Sequence, residues 1–470
     1  MGSLFSALDS AVSALTAFQR AVDVTQNNVT NTNSPGYAKQ IPLMQSVDFQ
    51  SGNDLSGGVI EQTVDGRNQF ADTAVRQQLS LQGAFQQLQT SLTPLQNVFD
   101  VSATSAIPTA LNQLFQSFSQ WSTQPSNTGY QSAVINAAQQ TAAAFQQAAS
   151  QLTSIRAATD QDVQSAVQQI NQDFAKILAY NQQVARQGVA DPGSQAQLEA
   201  ALEDLSSVAN TQVLPGIGNT VTVLLNGQTP LVIGDKVNNL QVQTASGGTN
   251  GPPNVAIVDS LGNDLTGQIT SGSLSALLSV RNNMLPSLGG GGTQVGGLNT
   301  LAQGVADAVN NLLAQGSTTS TPPFQVGVPL FTYSAGDPAG VASSINVNPA
   351  ANPGQLAATD PGPPVVSNGI ALKLANLDSP TNPQIGGLSF TQYFSSLVSQ
   401  VGNAVSNATS GATAQAQVVA QAKSLQQQLS GVNINEEAIR LVQLQSSYQA
   451  ASKVVTVIDQ LTQTLMNIVQ

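Results

Sequence analysis

A 3.5-residue repeat marks both ends of this chain. Near its start, apolar or small residues stand at Leu4, Leu8, Ala11, Leu15, Phe18, Val22, Thr25 and Val29, in alternating steps of four and three. Near its end, Leu441, Leu444, Tyr448, Ala451, Val455, Ile458, Thr462, Leu465 and Val469 keep the same rhythm. That period is the seam of a left-handed coiled coil. The two helices, of about 26 and 34 residues, would be about 39 and 51 Å long at 1.5 Å per residue. Each is the other's simplest partner. Segments 1–37 and 434–470 are therefore expected to form one coiled-coil unit, with the rest of the chain hung from it.

Such a unit buries one stripe per helix. Each buried apolar side chain contributes about 1.5–3 kcal/mol, against about 1–2 kcal/mol of backbone entropy per ordered residue. Two helices alone are marginal on that comparison. Phe5, Val12 and Val24 lie off the first seam, and Val442, Val454 and Leu461 lie off the second. They suggest a second adhesive face, and the ends are expected to complete their packing on copies of themselves and related subunits.

Between the ends the chain changes character several times. Asn33-Ser34-Pro35-Gly36-Tyr37 stops the first helix, with Pro35 and Gly36 suited to the centre of a type II turn. An extended arm with short strands follows, to about Val64. Leu81, Phe85, Leu88, Leu92, Leu95 and Phe99 mark a helix, and a short one surrounds Leu111, Leu114, Phe118 and Trp121. From Tyr130 to Gln187 there is no Gly or Pro, enough for a rod of about 85 Å. Asp191-Pro192-Gly193 ends it, and Ser194 is the expected cap of the next helix. Val221–Leu225, Asn226-Gly227 and Leu231–Ile233 read as a hairpin, with further strands at Leu240–Gln243 and Val255–Val258. The Gly289–Gly292 run reads as a flexible connector between helices at Leu274–Met284 and Leu298–Leu313. A helix from Phe390 to about Leu429 is expected to break at Gly402 and Gly411. Asn433 and Glu436 have capping-box spacing before the last helix. The expected fold is mainly α with β insertions. A long-helix bundle with the arm takes 38–210, 272–315 and 389–433, a small β-rich outer domain takes 211–271, and a Pro/Gly-rich excursion takes 316–388.

Composition narrows the chemistry. Only 8% of the 470 residues are charged, against roughly 25% in ordinary soluble domains. His and Cys are both absent, so Cys–His and Ser–His–Asp nucleophiles, thiol redox chemistry and the usual zinc sites are excluded. A net charge of -12 gives no basic footprint for nucleic acid. No stretch approaches the roughly 18 apolar residues of a membrane span. Arg20, Arg440 and Lys453 are too few for the basic face of an interfacial helix, which argues against a membrane-active role. Carboxylate pairs can hydrolyse glycosides without His. Glu199, Glu203 and Asp204, however, read as a solvated helix face, and Glu436 with Glu437 as a dipole-complementing helix start. No catalytic, metal or cofactor residues are assigned.

The terminal blocks also carry a resemblance. Gln26-Asn27-Asn28-Val29-Thr30-Asn31 followed by Asn33-Ser34-Pro35-Gly36-Tyr37-Ala38-Lys39-Gln40 resembles the signature shared by bacterial flagellar rod, hook and hook-associated proteins. Ser430 to Glu437, Tyr448-Gln449-Ala450 and Leu465-Met466-Asn467-Ile468 look like the matching C-terminal block. The long helical region, Leu298-Asn299-Thr300-Leu301-Ala302 and Gly336-Asp337-Pro338-Ala339 are similar to the hook–filament junction branch of that superfamily rather than to distal rod or hook subunits. Ala38-Lys39 departs from the family's usual Ser-Arg.

The resemblance implies a structural subunit exported through the flagellar type III secretion channel without a cleaved signal. It would assemble outside the cell at the distal end of the hook. Its partners would be other copies of itself, hook protein below, a second junction protein and filament above, the export apparatus, and an export chaperone on the stripe from Leu441 to Ile468.

Overall fold

The computed structural model describes residues 2–47, 58–100, 106–188, 191–245, 251–378 and 385–469. Helix α1 (Gly2–Thr30) precedes a hairpin, β1 (Gln40–Val47) and β2 (Gly58–Asp65). Four helices follow: α2 (Gln69–Val98), α3 (Ile107–Thr123), α4 (Thr128–Gln187) and α5 (Pro192–Val208). Strands β3 (Thr211–Pro215), β4 (Val221–Leu225), β5 (Thr229–Ile233) and β6 (Lys236–Val237) form an antiparallel sheet in that order, and β7 (Gln241–Thr244) pairs with β8 (Val255–Val258). Helices α6 (Ser273–Ser279) and α7 (Leu285–Gly289) flank a π turn, Val280–Met284. Helix α8 (Gly297–Gln315) leads into a mostly irregular stretch with β9 (Phe331–Thr332), α9 (Val341–Ser344), β10 (Asn346–Val347) and α10 (Gly369–Ala375). Helices α11 (Phe390–Ser430) and α12 (Ile434–Val469) come last.

The body has two apolar cores strung along α4, a 60-residue helix about 90 Å long. The first half of α4, from Val134 to Leu152, packs on α3, α9 and the C-terminal end of α2 and shares one core with α8, α10 and the N-terminal part of α11. The second half, from Val163 to Val184, packs with α5, α6 and the β-insertion. Between them lies a polar waist. Arg156 and Arg281 are buried there, bonded to the Gly290 carbonyl and to Asp160 respectively. The insertion at 211–271 therefore shares its core with two helices that precede it and one that follows.

Caps explain where the helices start. Asn68 Oδ1 accepts the N–H groups of Phe70 and Ala71, and Asn127 caps α4. Asp191, not Ser194, caps α5: its side chain accepts from the Ser194 N–H, and Pro192 fills the first turn. Ser389 and Gln392 form a reciprocal capping box on α11.

Three expectations about glycine and packing are corrected. Gly290, Gly291 and Gly292 are buried and all have positive φ. The Gly291 N–H donates to Gln294 O and the Gly292 N–H to Pro252 O, so the run is a tightly bonded turn rather than a connector. Helix α11 passes through Gly402 and Gly411 without a break. Gly411 is where α11 lies against the Phe85 ring of α2, and a Cβ there would overlap the ring. Leu81, at the head of the expected α2 stripe, is exposed.

The two helical glycines separate two opposing effects. Ala is favoured over Gly in a helix by about 1 kcal/mol, whereas overpacking costs about 1–3 kcal/mol. Gly402 has open space around it. Gly402→Ala is expected to raise the urea midpoint and Gly411→Ala to lower it. Equal shifts would contradict the close crossing.

Candidate assembly interface

Helices α1 and α12 pack along each other. Near the C-terminal end of α1, Asn28 meets Glu437 in the first turn of α12, so the pair is antiparallel. A second element, the β1–β2 hairpin, also lies along α1. Its eight-residue strands reach about 26 Å at 3.3 Å per residue. Helix α1 is thus gripped on two flanks.

That double grip decides which residues are buried. Among the described side chains of α1, Ala11, Ala17, Ala21, Thr25 and Asn28 are the buried ones. Leu8, Leu15, Phe18 and Val22 are half-buried and Val29 is exposed, so the buried face is rotated from the expected stripe and shares only Ala11 and Thr25 with it. Small side chains let both neighbours approach the α1 backbone. On α12, Ile458 is buried, and Leu441, Leu444, Ala451 and Val455 are half-buried. Tyr448 and Leu465 are exposed at the margin of the seam. The side chains of Leu4 and Val469 lie outside the described set.

Asn28 is the hub of the joint between this pair and the body. Its Nδ2 donates to Gln40 O at 2.8 Å and to Glu437 Oε2 at 3.1 Å. Its Oδ1 accepts the Gln40 N–H at 2.8 Å and the Tyr37 hydroxyl at 2.9 Å. The family turn holds Tyr37 in place. The Tyr37 N–H donates to Ser34 O at 3.2 Å across Pro35 and Gly36, and Gly36 has a φ of 73°, which suits it to the third position of a type II turn. Asn33, Ser34 and Pro35 are exposed. Gly36 lies against the α5 backbone at Ala196, where a Cβ would collide.

Charge gathers at this joint. Arg67 donates to Gly36 O at 2.6 Å and lies 3.6 Å from Asp72 and 3.8 Å from Glu199. Arg76 pairs with Glu199 at 2.6 Å. The Gln426 amide of α11 donates to Asp72 at 2.8 Å, and the Ser430 hydroxyl accepts the Asn68 N–H at 2.8 Å. Glu199 and Glu437 are therefore buried partners, not the solvated face and simple cap expected from sequence. Burial raises the Glu199 carboxyl above its ordinary value, and Arg76 and Arg67 pull it back.

Burial, reinforced by Glu437, Asp65 and Asp191, pushes the Tyr37 phenol from 10.0 up to about 12. A raised folded value means the neutral hydroxyl's bond to Asn28 is fully present below pH 10 and fades as pH rises towards about 12. In a phenolate absorbance titration, Tyr37→Phe is expected to remove signal near the upper end of that range. Loss of signal near pH 10 instead would contradict the buried bond.

A second apolar stripe of α12 runs about 120° round from the seam at 100° per residue. Ile439, Val442, Val454, Val457 and Leu461 on it are each at least half exposed. Among the described residues, no group of three or more His, Cys, Asp or Glu is placed to hold a metal, and no helix is long and apolar enough to cross a membrane.

Comparison with known proteins places these features. Residues 92–331 match the model of the flagellar hook-associated protein FlgK helical domain. Residues 8–37 match that of the flagella basal body rod protein, and residues 425–468 that of the flagellar basal body rod FlgEFG protein C-terminal region. Over 99% of both chains, the sequence is 24% identical to flagellar hook-associated protein 1 of Bacillus subtilis (strain 168). The fold resembles that of the flagellar hook junction protein FlgK from Burkholderia pseudomallei, with a TM-score of 0.64 at 16% identity, covering 75% of this chain and 99% of that one.

Proposed function

This chain belongs to the FlgK family of flagellar hook-associated proteins, and from that membership we propose how it works as a structural subunit of the flagellar junction. Rod-type sequence models match both terminal segments, so it is the helical domain between them that separates this chain from rod and hook subunits. The relatives are structural flagellar proteins, and the chain's role is taken as structural, not enzymatic.

The observation that carries the proposal is the terminal unit. Its seam is closed within the chain, yet the outer stripe of α12 remains uncovered. In the assembled tube that stripe packs on neighbouring subunits, and the two-core body forms the shell outside it. The proposed contacts are further copies, hook protein below, and a second junction protein with filament above. Before assembly the stripe from Leu441 to Ile468 is held by an export chaperone, and the chain reaches the outside of the cell through the flagellar type III export apparatus. The sparse charge of both helices suits close lateral packing, because few ionic groups must lose water.

Deletion with imaging tests the role. Cells without this protein are expected to build hooks of normal length with no attached filament, and to release flagellin into the medium. Filaments attached after deletion would remove the assignment.

A further inference from the structure

We propose that each copy carries both halves of a lateral contact with a second copy of itself: the outer face of the β1–β2 hairpin receives the outer stripe of α12 from the next copy. This rests on the reading of the chain as an assembly subunit and names the surfaces that meet.

The hairpin register puts Ile41 opposite Val64, Leu43 opposite Gln62 and Gln45 opposite Ile60. Side chains on paired strands share a face with a period of two, so these six residues form one face. Leu43, Ile60 and Val64 on it are exposed. The other face carries Pro42, Met44 and Glu61, which are half-buried towards α1. A two-stranded sheet open on one side ordinarily shows water a polar face. Here the open face carries exposed Leu43, Ile60 and Val64 beside Gln45 and Gln62, and no charge.

The α12 stripe matches it in kind. Ile439 and Val442 at one end and Val454, Val457 and Leu461 at the other are exposed, with Ser446 and Ala450 between them and Lys453 as the one cation on the face, over about 33 Å at 1.5 Å per residue. The two surfaces lie on different flanks of one helix. Both α12 and the hairpin pack on α1, and among the described residues they make no substantial contact with each other. A copy with an acceptor on one flank and a donor on another makes heterologous contacts that repeat around a ring or along a helix. A foreign partner would need neither the second surface nor its placement.

Size argues the same way. The hairpin face is about 26 Å by 10 Å from strand rise and spacing. Covering it buries roughly 500 Å² in total, below the roughly 1,000 Å² that a persistent interface needs. An isolated pair of copies therefore separates, whereas a copy engaged on both flanks, beside the other contacts of a tube, is retained.

The chain has no cysteine, so engineered pairs report the contact cleanly. Leu43→Cys is combined in turn with Val442→Cys, Val454→Cys and Val457→Cys in the full chain, expressed as the only copy in a flagellated cell. On oxidation of isolated hook–filament preparations, at least one double variant is expected to give covalent ladders longer than a dimer. The position that reacts gives the axial stagger. Co-expressing the two corresponding single variants should stop at dimers. If none of the three pairs reacts while filaments stay attached, the contact is wrong and the junction role stands. Dimers of a single α12 cysteine with itself, in place of the ladder, also overturn it. As a second measurement, Leu43→Glu is expected to lower filament attachment at least tenfold at unchanged melting temperature, and unchanged attachment overturns the proposal.

Discussion

A chain trimmed to residues 67–430 is expected to keep its body folded and to attach no filaments. Both apolar cores lie inside that span: the first uses side chains from Leu92 to Ala408, the second from Val163 to Leu278. Trimming removes none of those residues. What it removes is α1, the turn motif, the hairpin and α12, together with the Arg67 bond to Gly36. Far-UV circular dichroism should show a cooperative, strongly helical melt, and attachment on cells supplying only this chain should fall to the deletion level. Attachment near the wild-type level would mean that the terminal helices are not the assembly surface. A chain that fails to melt cooperatively would mean that the joint stabilises the body, which the separation of the cores argues against.

Asn28→Ala is expected to be the most damaging single substitution at the joint. It leaves the Gln40 N–H and C=O, the Tyr37 hydroxyl and the buried Glu437 carboxylate each short of a partner. An unsatisfied buried group costs about 1–3 kcal/mol, and four neighbours relax together rather than additively. A net loss of about 2–4 kcal/mol is expected. At tenfold per 1.4 kcal/mol, even the lower figure opens the joint about 30-fold more often. Limited trypsin digestion reads this directly, because cleavage follows the population of open states when closing is fast. Cutting at Arg20 and Lys39 should accelerate by about that factor, while the buried Arg156 and Arg281 remain uncut. Glu437→Gln keeps an acceptor for Asn28 and should have a smaller effect. Unchanged cleavage in Asn28→Ala would show that the hydrogen bonds at Asn28 do not hold the terminal unit to the body.

How far the sequence went depended on which physical signal each element uses. The 60-residue α4 was legible because residues 130–187 contain no breaker, and the β4–β5 turn because Asn226-Gly227 suits left-handed backbone, found at φ of 50° and 69°. The α12 stripe was legible in part: Leu441, Leu444, Val455 and Ile458 turn inward, whereas Tyr448 and Leu465 stay exposed. The α1 seam was misplaced because the tightest packing there follows Ala17, Ala21, Thr25 and Asn28, of which only Thr25 belongs to the expected stripe; a count of large apolar side chains passes over the other three. Its steps of four, four and three were present in the sequence. Asn28 stood out only as part of the terminal signature, and its role follows from Gln40 and Glu437, which only the fold brings together. Glu199 stands three residues before Leu202 on the buried side of α5, which was the available sign that it faces inward. The glycines at 290–292 and 411 were read for freedom of the chain, and the fold uses them for closeness of approach.

The central claim is that α1 and α12 are incomplete in one molecule and find the rest of their packing in neighbours. Amide hydrogen exchange on a verified monomer and on assembled junctions tests it most directly. In the monomer, residues 4–29 and 441–469 are expected to exchange far faster than Val134–Leu152 in the α4 core, and to become at least a hundredfold slower on assembly. Protection in the monomer already equal to that of the α4 core, with no change on assembly, would contradict it.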